Sequence, residues 1–235
     1  MNNKNLNISI YDQPDDFTCG PTCLHAVYNY LGYDIDLEKV IREVKYLNDG
    51  GTLAVYLGID ALSRGFSTIL YSYNLKVFDP SWNGLSSEQL ILKLNEQLEF
   101  KNGKKFTEAT GAYINYLESG GRILFEDLSF DMLTNYFRKD LPVLAGLSAT
   151  YLYQSAREHT LRHRIVYDDI RGYPSGHFVV LHGSDQADKI LVADPYKENP
   201  ISRKNYYEVE FRRLINSILL GIITYDANLL VITES

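Results

Sequence analysis

The chain has 235 residues, 45% of them hydrophobic and 23% charged, which is typical of one globular domain, with or without a sizeable insertion. Its net charge of −7 argues against nucleic acid or an anionic membrane as the main partner. Neither a membrane span nor a signal peptide is predicted, because charged residues interrupt every apolar stretch and the N-terminus is polar.

The first half of the chain is predicted to be mainly helical. Alternating apolar and polar residues predict a strand over residues 6–11, and apolar residues at helical spacing predict a helix over Cys19–Leu31 that stops at Gly32. Asp36 and Ser129 have the side chains of N-caps for two later helices. Further helices are predicted over residues 37–47, 53–63, 90–100, 112–117 and 130–138, and a strand over residues 66–73.

The second half is rich in predicted strands. These cover residues 143–147, 178–181, 190–192 and 221–232, the last with an interruption near Asp226. A helical first half followed by a strand-rich second half indicates an α+β fold, with an antiparallel sheet packed on helices.

Cys19 is the first candidate for chemistry. Residues 13–24 read QPDDFTCGPTCL, so this thiol lies at the start of a predicted helix, six residues after Gln13. The partial positive charge of a helix N-terminus favours the thiolate, and the glutamine amide is a donor for an oxyanion. Two cysteines, Cys19 and Cys23, cannot make a disulfide framework or a zinc site without further ligands. We therefore expect a cytoplasmic protein with reduced thiols, no cofactor and no metal.

His177 is the predicted base among the five histidines. It opens a strand, and a hairpin with a four-residue loop over residues 184–187 sets Leu181 opposite Ile190 and His177 opposite Asp194. The alternation of the strand turns His182 to the other face. Either a helix-start cysteine or a strand histidine alone is more often structural, but together these residues favour a Cys19 nucleophile, a His177 base and an orienting Asp194.

These motifs resemble those of a known family. Gln13-x5-Cys19-Gly-Pro, His177-Phe-Val-Val-Leu and Ala-Asp194-Pro195 are similar to the papain-like cysteine peptidases of the bacteriocin-processing, double-glycine leader type and their peptidase-like relatives. The resemblance covers roughly 50 residues. It implies a papain-like fold, with Gln13 as the oxyanion residue, Cys19 as the nucleophile, His177 as the base and Asp194 as its partner.

The resemblance also implies the domain organisation. We expect a single domain over residues 1–235, with a helical lobe over about 12–140 and a sheet lobe over about 141–235. Extra material relative to the compact family members falls at about 74–110 and 149–175. The second of these segments lies beside the base and is predicted to act as a lid.

Three arginines in the 149–175 segment suggest two interpretations. Arg157, Arg162 and Arg164 would bind a carboxylate-bearing or otherwise anionic substrate, since arginine pairs bidentately with such groups. Alternatively, they offset Glu158, Asp168 and Asp169 on a solvated hairpin, and this second interpretation is favoured.

The sequence therefore predicts a thiol-dependent hydrolase, a cysteine peptidase or amidase that acts on a peptide or isopeptide bond through a Cys19 thioester. Two alternatives remain open. The same thioester would serve an acyl or peptidyl transferase, as in phytochelatin-synthase-like relatives of the fold. An inactive peptidase scaffold would instead be a binding module.

Overall fold

The computed structural model describes residues 4–47, 50–161, 164–185 and 188–234, without the side chains of residues 160, 161, 164 and 165. The helices in this part of the chain are α1 Cys19–Tyr30, α2 Leu37–Glu43, α3 Ala54–Ser63, α4 Ser87–Phe100, α5 Lys104–Glu118, α6 Phe130–Arg138, α7 Ala149–Tyr153 and α8 Phe211–Leu220. Short 3-10 turns cover Pro80–Trp82 and Gly221–Thr224. The strands are β1 Lys4–Asn5, β2 Ser67–Ser72, β3 Arg122–Leu124, β4 Val143–Ser148, β5 Glu158–Leu161, β6 Arg164–Tyr167, β7 Gly176–Ser184, β8 Lys189–Ala193, β9 Tyr206–Glu210 and β10 Asn228–Thr233.

One central sheet organises the fold. Its strand order is β3-β2-β10-β4-β7-β8-β9, and β1 pairs with the end of β7. Among the described strands of this sheet, only β2 and β3 are parallel to each other, and the other pairs are antiparallel. The predicted α+β class is therefore confirmed. Strands β2 and β3 fall within about residues 12–140, the predicted helical lobe, so both predicted lobes contribute strands to the same sheet.

Helices α1, α3 and α8 pack on the sheet, with α1 against β7, α3 against β2 and β10, and α8 against β4. The core between them is apolar and includes Leu24 of α1, Leu57 of α3 and Phe178 of β7, each at most 2% exposed. No helix in the described ranges has both the length and the apolar character needed to cross a bilayer.

Several predicted elements agree with the structure to within one or two residues. Helix α1 ends at Tyr30 and is followed by Gly32 at φ 77°, while α3 begins one residue later than expected. Ser129 caps α6, since its hydroxyl accepts a hydrogen bond of 3.1 Å from the backbone N–H of Met132.

The predicted strand over residues 6–11 is wrong, because only Lys4–Asn5 forms a strand there. The apolar alternation instead describes an extended segment in which Leu6, Ile8 and Ile10 are buried. The hydroxyl of Tyr206 donates to the carbonyl of Ile8 and accepts from the N–H of Ile10, both at 3.1 Å, so a side chain replaces the sheet partner.

Other boundaries also differ. Helix α2 ends at Glu43 instead of residue 47, and α5 begins at Lys104 instead of residue 112. The first part of the strand predicted over residues 221–232 is a 3-10 turn, and β10 starts at Asn228. Strand β9 and helix α8 were not predicted.

Candidate active site

Cys19 is the first residue of α1, and no side chain caps the N-terminal end of this helix. The hydroxyl of Thr18, the N-cap residue, is engaged with the backbone of Asp15 instead, at 3.2 to 3.3 Å. The first turn of α1 also contains no acidic residue. The backbone N–H groups and the positive end of the helix dipole are therefore left to stabilise a negative sulfur or oxygen.

Gly20 lets this helix start approach the sheet closely. A Cβ atom at this position would lie 2.5 Å from Cγ2 of Thr52 and 3.1 Å from the ring of Phe178. Thr52 is itself held, because its hydroxyl donates to the carbonyl of Lys45 at 2.7 Å. Packing against Thr52 and Phe178 thus requires a glycine after Cys19, and the absence of a side chain there allows the start of α1 to lie close to β7.

His177 lies near the start of β7 and interacts with both other members of the predicted triad. Its Nε2 donates to Oδ1 of Asp194 at 2.8 Å, which leaves Nδ1 for Cys19, the other group that acts on this ring. Burial by itself lowers the pKa of His177, but the charges of Asp194 and Cys19 and their hydrogen bonds outweigh it and raise the pKa to about 10. The ring is suited to hold a proton beside a thiolate.

Asp194 is fully buried and accepts four hydrogen bonds. Besides His177, the backbone N–H of Tyr196 donates to Oδ1 at 2.8 Å. The hydroxyls of Tyr153 and Tyr207 both donate to Oδ2, each at 2.7 Å. Burial, together with the charge of Asp194, raises the pKa of both hydroxyls well above its usual value, so both remain donors. A buried carboxylate with this many donors is fixed in position.

The predicted register of the β7–β8 hairpin is wrong by two residues. Leu181 pairs with Val192 instead of Ile190, and the register shifts again across a bulge between Leu181 and Gly183. A slip of two residues leaves every side chain on its original face, so His177 and Asp194 still meet. His182, at the bulge, bonds through Nδ1 to the carbonyl of Leu6 at 3.0 Å and is remote from this network.

Gln13 is tied to the same region through its backbone, which donates to the carbonyl of Pro195 at 2.9 Å. One N–H of its side-chain amide donates to the carbonyl of Asp15 at 2.7 Å. Its Oε1 is buried and has no hydrogen-bond partner. An amide nitrogen carries two hydrogens, so the second N–H is left for an acceptor.

A cavity of about 510 Å³ opens beside His177. Of the four predicted catalytic residues, Gln13 and His177 line it. The other lining residues are Asp16, Ala149, Tyr153, Glu158, Tyr167, Ser175, Gly176 and Tyr196.

Comparison with known proteins identifies the family and a similar fold. The model of the Peptidase_C39 like family matches residues 5–217, most of the chain. The chain belongs to this family. A crystal structure of a protein described as a C39-like peptidase from Bacillus anthracis has a similar fold, with a TM-score of 0.53 and 15% identity, over 100% of this chain and 99% of the other. No curated protein matches the chain.

Membership of a C39-like peptidase family indicates a cysteine peptidase, and the two thiols of this family member differ sharply in environment. Cys23 is fully buried, and its thiol donates to the carbonyl of Phe178 at 3.2 Å. Burial, with smaller contributions from the charges of Cys19 and Asp194, raises the pKa of Cys23 well above its usual value. Cys19 is partly exposed, so the accessible thiol is the one beside His177.

The predicted arginine cluster cannot be followed as a whole in this C39-like protein. The guanidinium of Arg157 donates to the carbonyl of Asp169 within its own hairpin, and Arg157 does not line the cavity. Arg162 lies outside the described residues, and only the backbone of Arg164 is described, in β6. An anionic substrate held by these three arginines stays a prediction.

Tyr153 and Tyr207 are the site residues that sequence reasoning missed. Both belong to elements that were not predicted, α7 and β9. The alternation of β9, with Tyr207 and Val209 buried and their neighbours exposed, was a usable signal for the strand, although not for its partner Asp194.

Proposed function

We propose that the protein is a cysteine peptidase or amidase that hydrolyses a peptide or isopeptide bond through a thioester on Cys19. The observation that carries the proposal is the series Cys19–His177–Asp194, in which His177 hydrogen-bonds to Asp194 at 2.8 Å, Cys19 acts on the same ring, and each residue comes from a different segment of the chain. Membership of a C39-like peptidase family supports the same class of reaction.

The reaction would begin with the Cys19 thiolate and a protonated His177. The sulfur attacks the scissile carbonyl, and the resulting oxyanion collapses with release of the amine, which takes the proton from Nδ1 of His177. The neutral imidazole then removes a proton from water, and the hydroxide attacks the thioester. The carboxylic acid leaves, and Cys19 returns as the thiolate beside protonated His177.

The oxyanion would be held by two donors, the backbone N–H of Cys19 and the second side-chain N–H of Gln13. The uncapped end of α1 supports the first donor, and the position of Gln13 in the cavity wall supports the second. Asp194 would keep the His177 ring oriented and would stabilise its charge, with Tyr153 and Tyr207 holding the carboxylate.

The direct test is competitive alkylation with limiting iodoacetamide at neutral pH, read by peptide mass spectrometry. Cys23 is a built-in control, since it is buried and its pKa is raised. We expect Cys19 to be modified at least tenfold faster than Cys23, and the rate of Cys19 modification to fall in His177→Ala and, by less, in Asp194→Asn. Equal labelling of both thiols, unchanged by His177→Ala, would contradict the proposal.

Turnover is tested with a peptide library in H₂¹⁸O, including peptides with the double-glycine sequence of the bacteriocin-processing relatives that the motifs resemble. Hydrolysis places one ¹⁸O atom in the new carboxylate, and Cys19→Ala abolishes it. A product that forms only with an added amine or thiol, without ¹⁸O, would instead indicate a transferase. Equal product from wild type and Cys19→Ala would rule out a Cys19 thioester.

A further inference from the structure

The cavity beside the proposed base has a lining with a definite chemical character. Apart from His177, its charged side chains are both acidic, and three of its walls are aromatic rings. Within the described ranges of the chain, no lysine or arginine lines it. The acidic residues are Asp16 and Glu158, and the rings are those of Tyr153, Tyr167 and Tyr196.

The two carboxylates come from separate segments and line the same cavity. Asp16 lies in the loop before α1, and Glu158 opens β5, directly opposite Tyr167 of β6. Burial, followed by the hydrogen bond and charge of Tyr196 and the charges of Glu158 and Asp16, raises the pKa of Tyr167 to about 12. Both carboxylates therefore act on the space around the Tyr167 hydroxyl.

Glu158 is held in place. Its backbone N–H donates to the carbonyl of Tyr173 at 3.0 Å, and its carbonyl accepts from the N–H of Tyr173 at 2.7 Å. The hydroxyl of Ser175 donates to Oε1 of Glu158 at 2.9 Å. A carboxylate fixed in this way loses little side-chain entropy when it meets a ligand.

We propose that this cavity selects substrates with a positive charge next to the bond that is cut, a lysine or arginine side chain or a free amine, with Glu158 and Asp16 as specificity-determining residues. Carboxylates attract a cation by charge, and the faces of tyrosine rings attract it through their quadrupole. A cavity of about 510 Å³ also has room for a long side chain. The inference rests on the proposed peptidase function, because it assumes that Cys19 reacts with what the cavity holds.

The test uses charged thiol reagents, so that no substrate needs to be known. The rate of Cys19 modification is measured with three methanethiosulfonates that carry an ethylammonium, a methyl or an ethylsulfonate group. In the wild type we expect the cationic reagent to react at least tenfold faster than the anionic one. Rates are assigned to Cys19 by mass spectrometry, with buried Cys23 as the reference.

Two substitutions remove the acidic groups one at a time. Glu158→Gln and Asp16→Asn should each lower the cation-to-anion rate ratio by about fivefold, the size of a partly exposed ion pair. Glu99→Gln makes the same change of charge on an exposed residue of α4 that does not line the cavity. It should leave the ratio within twofold of the wild type. Ser175→Ala removes the hydrogen bond to Glu158 and keeps the charge of Glu158, so it distinguishes the effect of this hydrogen bond from that of the charge.

The outcomes distinguish this inference from the proposed function. Fast, His177-dependent modification of Cys19 with a rate ratio near one, or with equal effects of Glu158→Gln and Glu99→Gln, would overturn the inference and leave the peptidase proposal standing. A preference for the anionic reagent would also overturn it and would support the arginine prediction. Slow modification of Cys19 by all three reagents, unaffected by His177→Ala, would defeat the peptidase proposal itself.

Among cleaved peptides, those with lysine beside the cut should have a higher kcat/KM than those with glutamate, and Glu158→Gln should reduce this difference in kcat/KM.

Discussion

Tyr207 donates a hydrogen bond of 2.7 Å to Oδ2 of Asp194, the carboxylate oxygen that His177 does not use. Tyr153 donates to the same oxygen at the same distance. Tyr153 belongs to α7 and Tyr207 to β9, so the two donors come from distant parts of the chain. The two carboxylate oxygens of Asp194 therefore have different partners: Oδ1 accepts from His177 and from the backbone N–H of Tyr196, and Oδ2 accepts from the two tyrosine hydroxyls. This arrangement fixes the plane of the carboxylate and, through it, the ring of His177.

Tyr207→Phe tests this role of the tyrosine. Removal of one donor from a fully buried carboxylate should lower the free energy of unfolding by about 1 to 3 kcal/mol, measured by urea denaturation. If Tyr207 also positions His177 through Asp194, the rate of Cys19 alkylation should fall several-fold. Tyr206→Phe is the matched control, because the Tyr206 hydroxyl bonds only to the N-terminal segment at Ile8 and Ile10. It should cost stability without slowing alkylation, and equal slowing by both variants would refute the positioning role.

The stability of the protein should depend on pH through His177. Its pKa is 6.5 in an ordinary environment; burial lowers it, but Asp194 and Cys19 outweigh burial and raise it to about 10 in the folded chain. Between these two values the folded state binds the proton that the unfolded state has released. This stabilising contribution is complete below pH 6.5 and is lost as the pH rises through about 10.

Urea unfolding at intervals from pH 6 to pH 10 measures this loss in chains that all carry Cys19→Ala, so that ionisation of the thiol does not offset the proton on His177, whose pKa Asp194 still raises. Adding His177→Ala should make the slope shallower over this range, by at most about 1.4 kcal/mol per pH unit. Asp194→Asn removes the first of the two charges that raise the pKa and should flatten the slope as well. Parallel slopes in all three proteins would mean that His177 is not protonated in the folded state.

Gly20→Ala should displace the start of α1. The added methyl group would lie 2.5 Å from Cγ2 of Thr52, so α1 or Thr52 must move. We expect a loss of about 1 to 3 kcal/mol in the free energy of unfolding and slower alkylation of Cys19. Thr52→Ser in the same chain removes the methyl group in conflict and retains the hydroxyl that bonds to Lys45, so it should restore part of both properties.

Gly111→Ala is the control for this prediction. Gly111 lies inside α5, and a Cβ there would have no neighbour within 4 Å. Alanine is the better helix residue, so this variant should be more stable by about 0.5 to 1 kcal/mol and should leave the reactivity of Cys19 unchanged. A loss of stability in Gly111→Ala similar to that in Gly20→Ala would show that the effect is not specific to the start of α1.

Local signals were sufficient for the parts of the fold that depend on neighbours in sequence. The apolar spacing of α1, the cap at Ser129 and the alternation of β7 all describe elements that the structure contains. The contact between His177 and Asp194 could also be predicted, because β7 and β8 follow each other in the sequence. A register error of two residues in such a hairpin leaves each side chain on the same face of the sheet.

The rest depends on contacts between distant residues, which no short pattern contains. The register of β7 shifts near Gly183, where a Cβ would lie 2.2 Å from the carbonyl of Lys4, so the N-terminal strand takes part in shaping the bulge. The tyrosines that hold Asp194 are 41 and 13 residues away from it in the sequence. In the segment of residues 221–232, the predicted interruption near Asp226 is present, with Tyr225 at φ 72°, but the part before it is a 3-10 turn instead of a strand.

Asp226→Asn should stabilise the protein at neutral pH. This carboxyl is buried under β7, with Oδ1 unpartnered and Oδ2 3.2 Å from where a Cβ of Gly176 would stand. Burial raises its pKa well above 3.8, against smaller opposite effects of Lys105 and the Ala54 N–H, so the folded state holds a proton that the unfolded state releases as the pH rises.

The cost of keeping Asp226 protonated grows with pH and is absent in the asparagine variant. Asp226→Asn should therefore match the wild type near pH 4 and exceed it by about 1 kcal/mol or more at pH 8, measured by urea unfolding. Asp168→Asn gives the opposite sign, because backbone and side-chain hydrogen bonds from Arg171 and Ile170 lower the pKa of Asp168 to about 2. Its stability should fall below that of the wild type at pH 8. A stability difference between Asp226→Asn and the wild type that stays constant from pH 4 to pH 8 would show that Asp226 is not protonated when the chain is folded.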